Sequence, residues 1–290
     1  SMDCAKAIGA RVARPDKSLD KMEGILKVLR PLPLLIAVPT TAGTGSETTL
    51  AAVIVDAKTR HKYPINDFPL IPRYAVLDPE VTKSLPPALT ATTGMDALTH
   101  AVEAYIGRST TKETRQDAVN AVRLIFANIR EAYQDGSNMR ARKQMLRAAY
   151  LAGNAFTRSY VGYVHAVAHS LGGKYNTPHG LANAVLLPFV LEAYGQTAHR
   201  PLHALAVAVG ISDWRESDEE GAVKFIEAIR QMKKDLSIGD TICGIQKKDI
   251  PGLARQAEKE ANPLYPVPDL MTAKQLEEFY YMVMEEETHA

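Results

Sequence analysis

Cysteine is almost missing. The 290 residues contain two, Cys4 and Cys243, too few for a disulfide framework, so a reducing, cytoplasmic compartment is expected. No sign of charge dominates: 34 Lys and Arg face 33 Asp and Glu. A nucleic-acid partner calls for a basic excess and is not expected. No apolar run approaches the ~20 residues of a membrane span, and residues 1–15 have no apolar stretch of the kind a secretory leader carries. Neither a membrane nor secretion is therefore expected. Low complexity and internal repeats are absent as well. What remains is 46% hydrophobic against 23% charged, the balance of a chain that builds a core. Its length suggests about two domains.

Residues 1–80 read as mixed α/β. A short helix is expected at 5–12. Leu34-Leu35-Ile36-Ala37-Val38, ended by Pro39, has the profile of a buried strand, and 51–55 and 74–77 are further strands. From Pro86 onward the three- and four-residue apolar spacing predicts helices at 86–107, 114–134, 138–157, 163–173, 180–194, 199–209, 217–235, 248–260 and 273–286. Thr272 is placed to cap the last of these, and Gly136 and Gly210 follow helix ends. The division falls near residue 80, with domains expected at 1–80 and 81–290. Glu285-Glu286-Glu287 reads as a solvated tail.

Histidine placement carries the chemistry. His165 and His169 are four residues apart in Gly162-Tyr163-Val164-His165-Ala166-Val167-Ala168-His169, so they share one face of a helix that is otherwise apolar. His179 follows in Thr177-Pro178-His179-Gly180. One such histidine is usually a satisfied core residue; three together favour a metal site. The zinc-peptidase pattern needs Glu after the first His, and Ala166 stands there, which excludes it. A second helix offers Gly94-Met95-Asp96-Ala97-Leu98-Thr99-His100-Ala101-Val102-Glu103, with Asp96 and His100 again four apart and Glu103 close to that face. A hydrogen-bonded Asp–His pair on an amphipathic helix would look the same. Three imidazoles and a carboxylate suit Fe(II), Zn or similar ions rather than Mg or Ca. Thr40-Thr41-Ala42-Gly43-Thr44-Gly45-Ser46-Glu47 is a small-residue loop after a strand. Its glycines would let the backbone approach a ligand closely, and its hydroxyls suit ribose or phosphate oxygens. An ordinary strand connection is the competing reading, and no Gly-Lys-Ser/Thr makes it a Walker loop.

These three motifs, in this order, resemble the iron-containing (group III) alcohol dehydrogenases, and the likeness runs from residue 3 to the C-terminus. The resemblance implies an α/β remnant of a Rossmann-like dinucleotide-binding domain followed by an all-α metal-binding domain, the dehydroquinate synthase-like fold. It implies Asp96, His100, His165 and His179 as metal ligands. His169 is implied beside the nicotinamide and substrate, as a catalytic proton relay. Thr40, Thr41, Thr44 and Thr49 match cofactor positions, with Lys62 and Thr82 as further contacts. Asp3 and Lys6 match the end of a Gly-Gly-Gly-Ser-x-x-Asp-x-x-Lys motif whose glycines precede this chain, so an N-terminally truncated member, with exposed strand edges, is expected. Phe156 matches a substrate-pocket position.

The function so implied is reversible hydride transfer between a primary alcohol or diol, or its aldehyde, and NAD or NADP. Fe(II) is the implied metal, with Zn, Mn and Ni also suited to the ligand set. A homodimer is implied too. Two other readings stand beside this one. The first is a truncated, noncatalytic metal-binding or assembly fragment. The second is a hydroxy-acid dehydrogenase of the same family, in which Arg158, near Tyr160 and Tyr163, would meet a substrate carboxylate; a salt bridge is the alternative for that arginine. The Asp-plus-three-His set argues against a dehydroquinate synthase or glycerol dehydrogenase type of enzyme. Cys4 and Cys243 are expected to have no catalytic role.

Overall fold

The computed structural model describes residues 1–56 and 62–285, without the side chain of Lys62. The strand-bearing part begins with α1 (Met2–Ala13), followed by β1 (Gly24–Ile25), β2 (Ile36–Ala37), β3 (Ala51–Val55), β4 (Lys62–Asn66) and β5 (Tyr74–Ala75). One sheet runs β1-β4-β3, with β1 parallel and β3 antiparallel to β4; β2 and β5 form a separate parallel pair.

Two of these strands are invisible to periodicity. β1 has two residues, and β4 carries Pro64, a residue that ordinarily argues against a sheet interior. Pro64 is tolerated because β1 pairs only with Ile65 and Asn66, leaving the proline's flank on that side open. The expectation of a buried strand at 34–38 does not hold. Only Ala37 is buried there, while Leu34 is 68% and Ile36 52% exposed. β2 has β5 as its neighbour; its Ala37 side is covered and its Ile36 side is exposed.

Lys6 ties α1 to the sheet. Its buried Nζ donates to Thr49 O, Thr49 Oγ1 and Ala51 O at 2.8, 2.9 and 3.0 Å. Burial lowers its pKa to about 8, opposed by the charges of Asp3 and Glu47. Asp67, also buried, accepts from Val28 N and Leu29 N at 2.8 and 2.9 Å and so holds a segment in which Leu26 and Leu29 have positive φ.

Among the described residues nine helices follow: α2 (Pro87–Ile106), α3 (Lys112–Gln134), α4 (Met139–Ser159), α5 (Tyr163–Tyr175), α6 (His179–Ala193), α7 (Gln196–Ala208), α8 (Asp218–Asp235), α9 (Ile250–Ala261) and α10 (Ala273–Val283). All nine sequence-expected helices are present, with ends moved by a few residues. Thr272 caps α10 in a reciprocal capping box with Gln275. α10 stops at Val283, short of the expected 286, and Glu286 and Glu287 lie outside the described residues. α2 is the central helix. Its small residues Ala91, Gly94, Ala97, Ala101 and Ala104 are fully or almost fully buried, and they let α3, α4 and α6 come close. α6 is apolar on every side, which is why it runs through the interior.

Candidate metal centre

The site lies where α2, α5 and the first turn of α6 meet. Gly180 sets their approach: a Cβ there would stand 2.5 Å from Thr92 O of α2. Helical spacing puts Asp96 and His100 on one face of α2. His165 comes from α5 and His179 opens α6. One donor atom from each of these four lies within 4.8 Å of the others. Asp96 is the hub: its carboxylate oxygens are 4.0 Å from His100 Nδ1, 3.9 Å from His165 Nε2 and 3.5 Å from His179 Nε2. Three of the four residues are buried and His179 is half-buried.

Two of the inward-pointing nitrogens lack partners. His100 Nδ1 and His165 Nε2 are buried without a hydrogen bond, a cost of ~1–3 kcal/mol each unless something binds them. Burial lowers the pKa of both rings, and for His165 the neighbouring His100, His179 and His169 lower it further. Neutral imidazoles keep the lone pair that a cation needs. Buried, unpartnered ring nitrogens converging on a carboxylate fit a divalent metal ion.

Surrounding groups fix the ligands. Glu103, one turn beyond His100, accepts from Gly162 N and Val164 N at 2.8 Å each. It also faces His165 Nδ1 at 2.6 Å. With an ionised Glu103 as acceptor, Nδ1 carries the hydrogen and Nε2 is left for a ligand bond. Burial pushes Glu103 up to about 8, while the backbone donors pull the other way. Asn183 Nδ2 donates to Asp96 Oδ1 at 2.7 Å and lies 3.1 Å from His179 Nε2. Phe156, on α4, stacks on the His100 ring at 4.1 Å.

His169 stands apart from the four. Its ring stacks with His179 at 5.2 Å between centroids, at the half-exposed mouth, and its Nδ1 lies 2.6 Å from Glu260 Oε1 of α9. Sequence reasoning gave no role to Glu103, Asn183 or Glu260. Only Glu103 carried a signal, by its position on the face of α2.

Of the residues matched to the cofactor, Asp3, Thr40, Thr41 and Thr44 line one cleft of about 860 Å³ with Ser46 and Val53. Asp3 accepts from Ser46 Oγ and Val53 N at 3.1 Å each, joining α1 to the loop. Thr49 lies beneath, its hydroxyl engaged by Lys6. Thr82 is buried and spends its hydroxyl on Pro79 O at 2.8 Å, away from the cleft-lining residues. The side chain of Lys62 lies outside the described residues. The reading of the loop glycines needs correcting. Gly45 has φ +59, and a Cβ there would stand 2.7 Å from Gly153 Cα, while one on Gly43 would stand 2.7 Å from Thr93 Cβ. Their close approach is to α4 and α2, and it docks the loop onto the helices.

Arg158 lies on the exposed side of α4, its charge acting on Glu113 and Asp117 of α3. Tyr163 is buried, its hydroxyl donating to Asn262 Oδ1 at 2.6 Å.

Comparison with known proteins now bears on this geometry. A family model described as "Fe-containing alcohol dehydrogenase family, C-terminal" matches residues 90–284, and one described as "Iron-containing alcohol dehydrogenase" matches residues 1–79. The chain belongs to the iron-containing alcohol dehydrogenase family. It is 42% identical to the 1,3-propanediol dehydrogenase of Klebsiella pneumoniae, over 90% of this chain and 67% of that protein. A crystal structure of 1,3-propanediol oxidoreductase superposes with TM-score 0.92 at 38% identity, over 97% of this chain and 73% of the other. A sulfoacetaldehyde reductase from Bifidobacterium kashiwanohense, solved in complex with NAD+, superposes with TM-score 0.85 at 28% identity, covering 98% of this chain and 74% of that one. The chain thus spans about two thirds of the length of the curated relative. Like other members of this alcohol dehydrogenase family, it pairs an α/β part with a helical part.

Proposed function

We propose that this chain is the metal- and nicotinamide-dependent dehydrogenase of a small primary alcohol or diol, run reversibly with the aldehyde. The observation that carries the reading is the convergence of four donor atoms within 4.8 Å, two of them buried ring nitrogens with no other partner. Asp96, His100, His165 and His179 hold one divalent ion, with Fe(II) first among the candidates and Zn, Mn or Ni also suited to the set. When bound, such an ion supplies Lewis-acid polarisation that lowers the pKa of an alcohol oxygen. Asp3, Thr40, Thr41 and Thr44 hold NAD or NADP in the cleft they line, and that cofactor supplies the hydride acceptor.

The chain's own groups do the rest. Glu103 keeps His165 in the tautomer that presents Nε2. Phe156 packs flat on His100, fixing that ring and forming an apolar wall that favours a short carbon chain. His169 carries the alcohol proton on Nε2 toward solvent, since its Nδ1 is already committed to Glu260. The aldehyde reaction returns the proton by the same atom. Two exposed free cysteines and the absence, among the described residues, of any helix long and apolar enough to cross a membrane are compatible with a cytoplasmic site of action. The 1,3-propanediol dehydrogenase likeness makes short diols the first substrates to try.

The test is anaerobic reconstitution with Fe(II) or Zn, an NADH titration, and assays on short primary alcohols and diols. Saturable NADH binding and metal-dependent reduction of NAD or NADP are expected. Stoichiometric metal without NADH binding would contradict dehydrogenase activity and leave a metal-holding unit.

A further inference from the structure

The two histidines of α5 are held in the same way by different helices. His165 offers Nδ1 to Glu103 of α2, and His169 offers Nδ1 to Glu260 of α9, each at 2.6 Å. The outcomes differ. His165 Nε2 falls in the four-donor cluster, whereas His169 stays outside it at the mouth. Glu260 is itself held. The Tyr265 hydroxyl donates to the same oxygen, Oε1, at 2.8 Å. Burial and the charge of Glu260 raise the Tyr265 pKa well above its ordinary value, so it remains a donor throughout the neutral range. The turn that carries Tyr265 is anchored at Asn262, which donates to Met271 O at 3.0 Å and accepts from Tyr163 Oη at 2.6 Å. An imidazole, a carboxylate and a phenol therefore stand in sequence, brought together from residues 91 positions apart and from a turn beyond the helix end.

We propose that Glu260, braced by Tyr265, is the positioning residue of His169, fixing its ring plane and its Nδ1–H tautomer so that Nε2 is the atom that exchanges a proton. A neutral imidazole in water carries its hydrogen mostly on Nε2. A short hydrogen bond from Nδ1–H to a carboxylate reverses that preference, because charge-assisted bonds are about twice as strong as neutral ones. Without Glu260 the ring would turn freely, and the hydrogen would sit on the nitrogen that must accept the proton. The effect on turnover rests on the reading of His169 as proton carrier; the tautomer itself does not.

The experiment is long-range 15N–1H correlation NMR on the chain labelled with 15N-histidine, at alkaline pH, both metal-free and zinc-loaded. His169 is assigned by the signal lost in His169→Asn. The wild type is expected to show the Nδ1–H pattern in both forms. Glu260→Leu, which keeps the bulk and removes the acceptor, is expected to move the His169 tautomer ratio by at least about fivefold toward Nε2–H. Glu260→Gln keeps an acceptor oxygen and should retain most of the Nδ1–H form; Tyr265→Phe should shift the ratio less than Glu260→Leu. Zinc content should stay at the wild-type value in all three. If Glu260→Leu does not fold, Glu260→Ala takes its place. An Nε2–H pattern in the wild type, or an unmoved ratio in Glu260→Leu, overturns the proposal. In the loaded enzyme, kcat should fall on the order of tenfold in Glu260→Leu with KM little changed. A shifted tautomer with unchanged kcat would overturn the proton-carrier role of His169 while leaving the positioning by Glu260 intact.

Discussion

Residues 87–283 bury a continuous core to which each of the nine helices contributes, whereas residues 1–80 bury a small cluster of Ala10, Met22, Val28, Ala52, Tyr63, Ile65 and Leu70. The small cluster leaves Leu29, Leu34, Ile36, Tyr74 and Val76 in water. The two halves of the proposed chemistry follow this difference. The proposed metal ligands project from α2, α5 and α6; Asp96, His100 and His165 lie inside the large core, where packing fixes their rotamers in advance, and His179 lies at its edge. The residues matched to the cofactor sit on α1 and on a loop that is pinned to the helices at Gly43 and Gly45 and exposes only Thr40 and Thr44. A cluster of lone pairs that must accept a cation needs rigidity. Side chains that would grip and release a dinucleotide need exposure, and Thr40 and Thr44 have it.

Emptying each core in turn would break this comparison or sharpen it. Leu186→Ala, in α6, should cost ~2–5 kcal/mol and speed amide exchange throughout the helical part. Ile65→Ala should speed exchange within residues 1–80 and leave α2 protected. Equal acceleration in α2 would mean that the two parts unfold as one unit. Next in size is Asp67→Ala, which strips the acceptor from Val28 N and Leu29 N. It should destabilise the strand-bearing part by about 2–3 kcal/mol, read by denaturant unfolding. Glu103→Gln should lower metal affinity by about 10- to 100-fold in a chelator competition, because its amide nitrogen would confront either Val164 N or both Gly162 N and His165 Nδ1. An unchanged affinity would remove Glu103 from the account of His165.

The smallest effect lies at the periphery of the helical part. His203 Nδ1 is 3.0 Å from Asp218 Oδ1, and this partner raises the histidine pKa above 6.5. A raised folded-state pKa gives stability that is fully present below the unfolded value and is lost as pH rises through the folded one. The melting difference between wild type and His203→Gln should therefore be largest below about pH 6.5 and shrink toward alkaline pH. It should correspond to less than about 1 kcal/mol, since Asp218 is largely exposed. A difference that grows with pH would contradict the assignment.

Much of the helical part was legible because helices announce themselves locally. Three- and four-residue spacing, Thr272 and the paired positions 96/100 and 165/169 all act within one or two turns. The strands were less legible. β1 is too short for a pattern, Pro64 disguises β4, and the apolar run at 34–38 does not reveal whether anything covers it. The same limit applies to Gly43 and Gly45, whose partners Thr93 and Gly153 lie far along the chain. Asn183, Glu260 and Tyr265 acquire meaning only from residues that the fold brings to them. Arg158 illustrates the reverse: near the metal-site residues in sequence, it lies on the exposed side of α4.

The central claim is that Asp96 and three imidazoles hold the ion and the fourth nearby imidazole, His169, does not. Metal per chain, measured anaerobically after loading with Fe(II) or Zn and gel filtration, tests it in the wild type, Asp96→Ala and His169→Ala. The expected contents are about one, none and about one. Retention of metal by Asp96→Ala, or its loss from His169→Ala, would contradict the division of roles among these side chains.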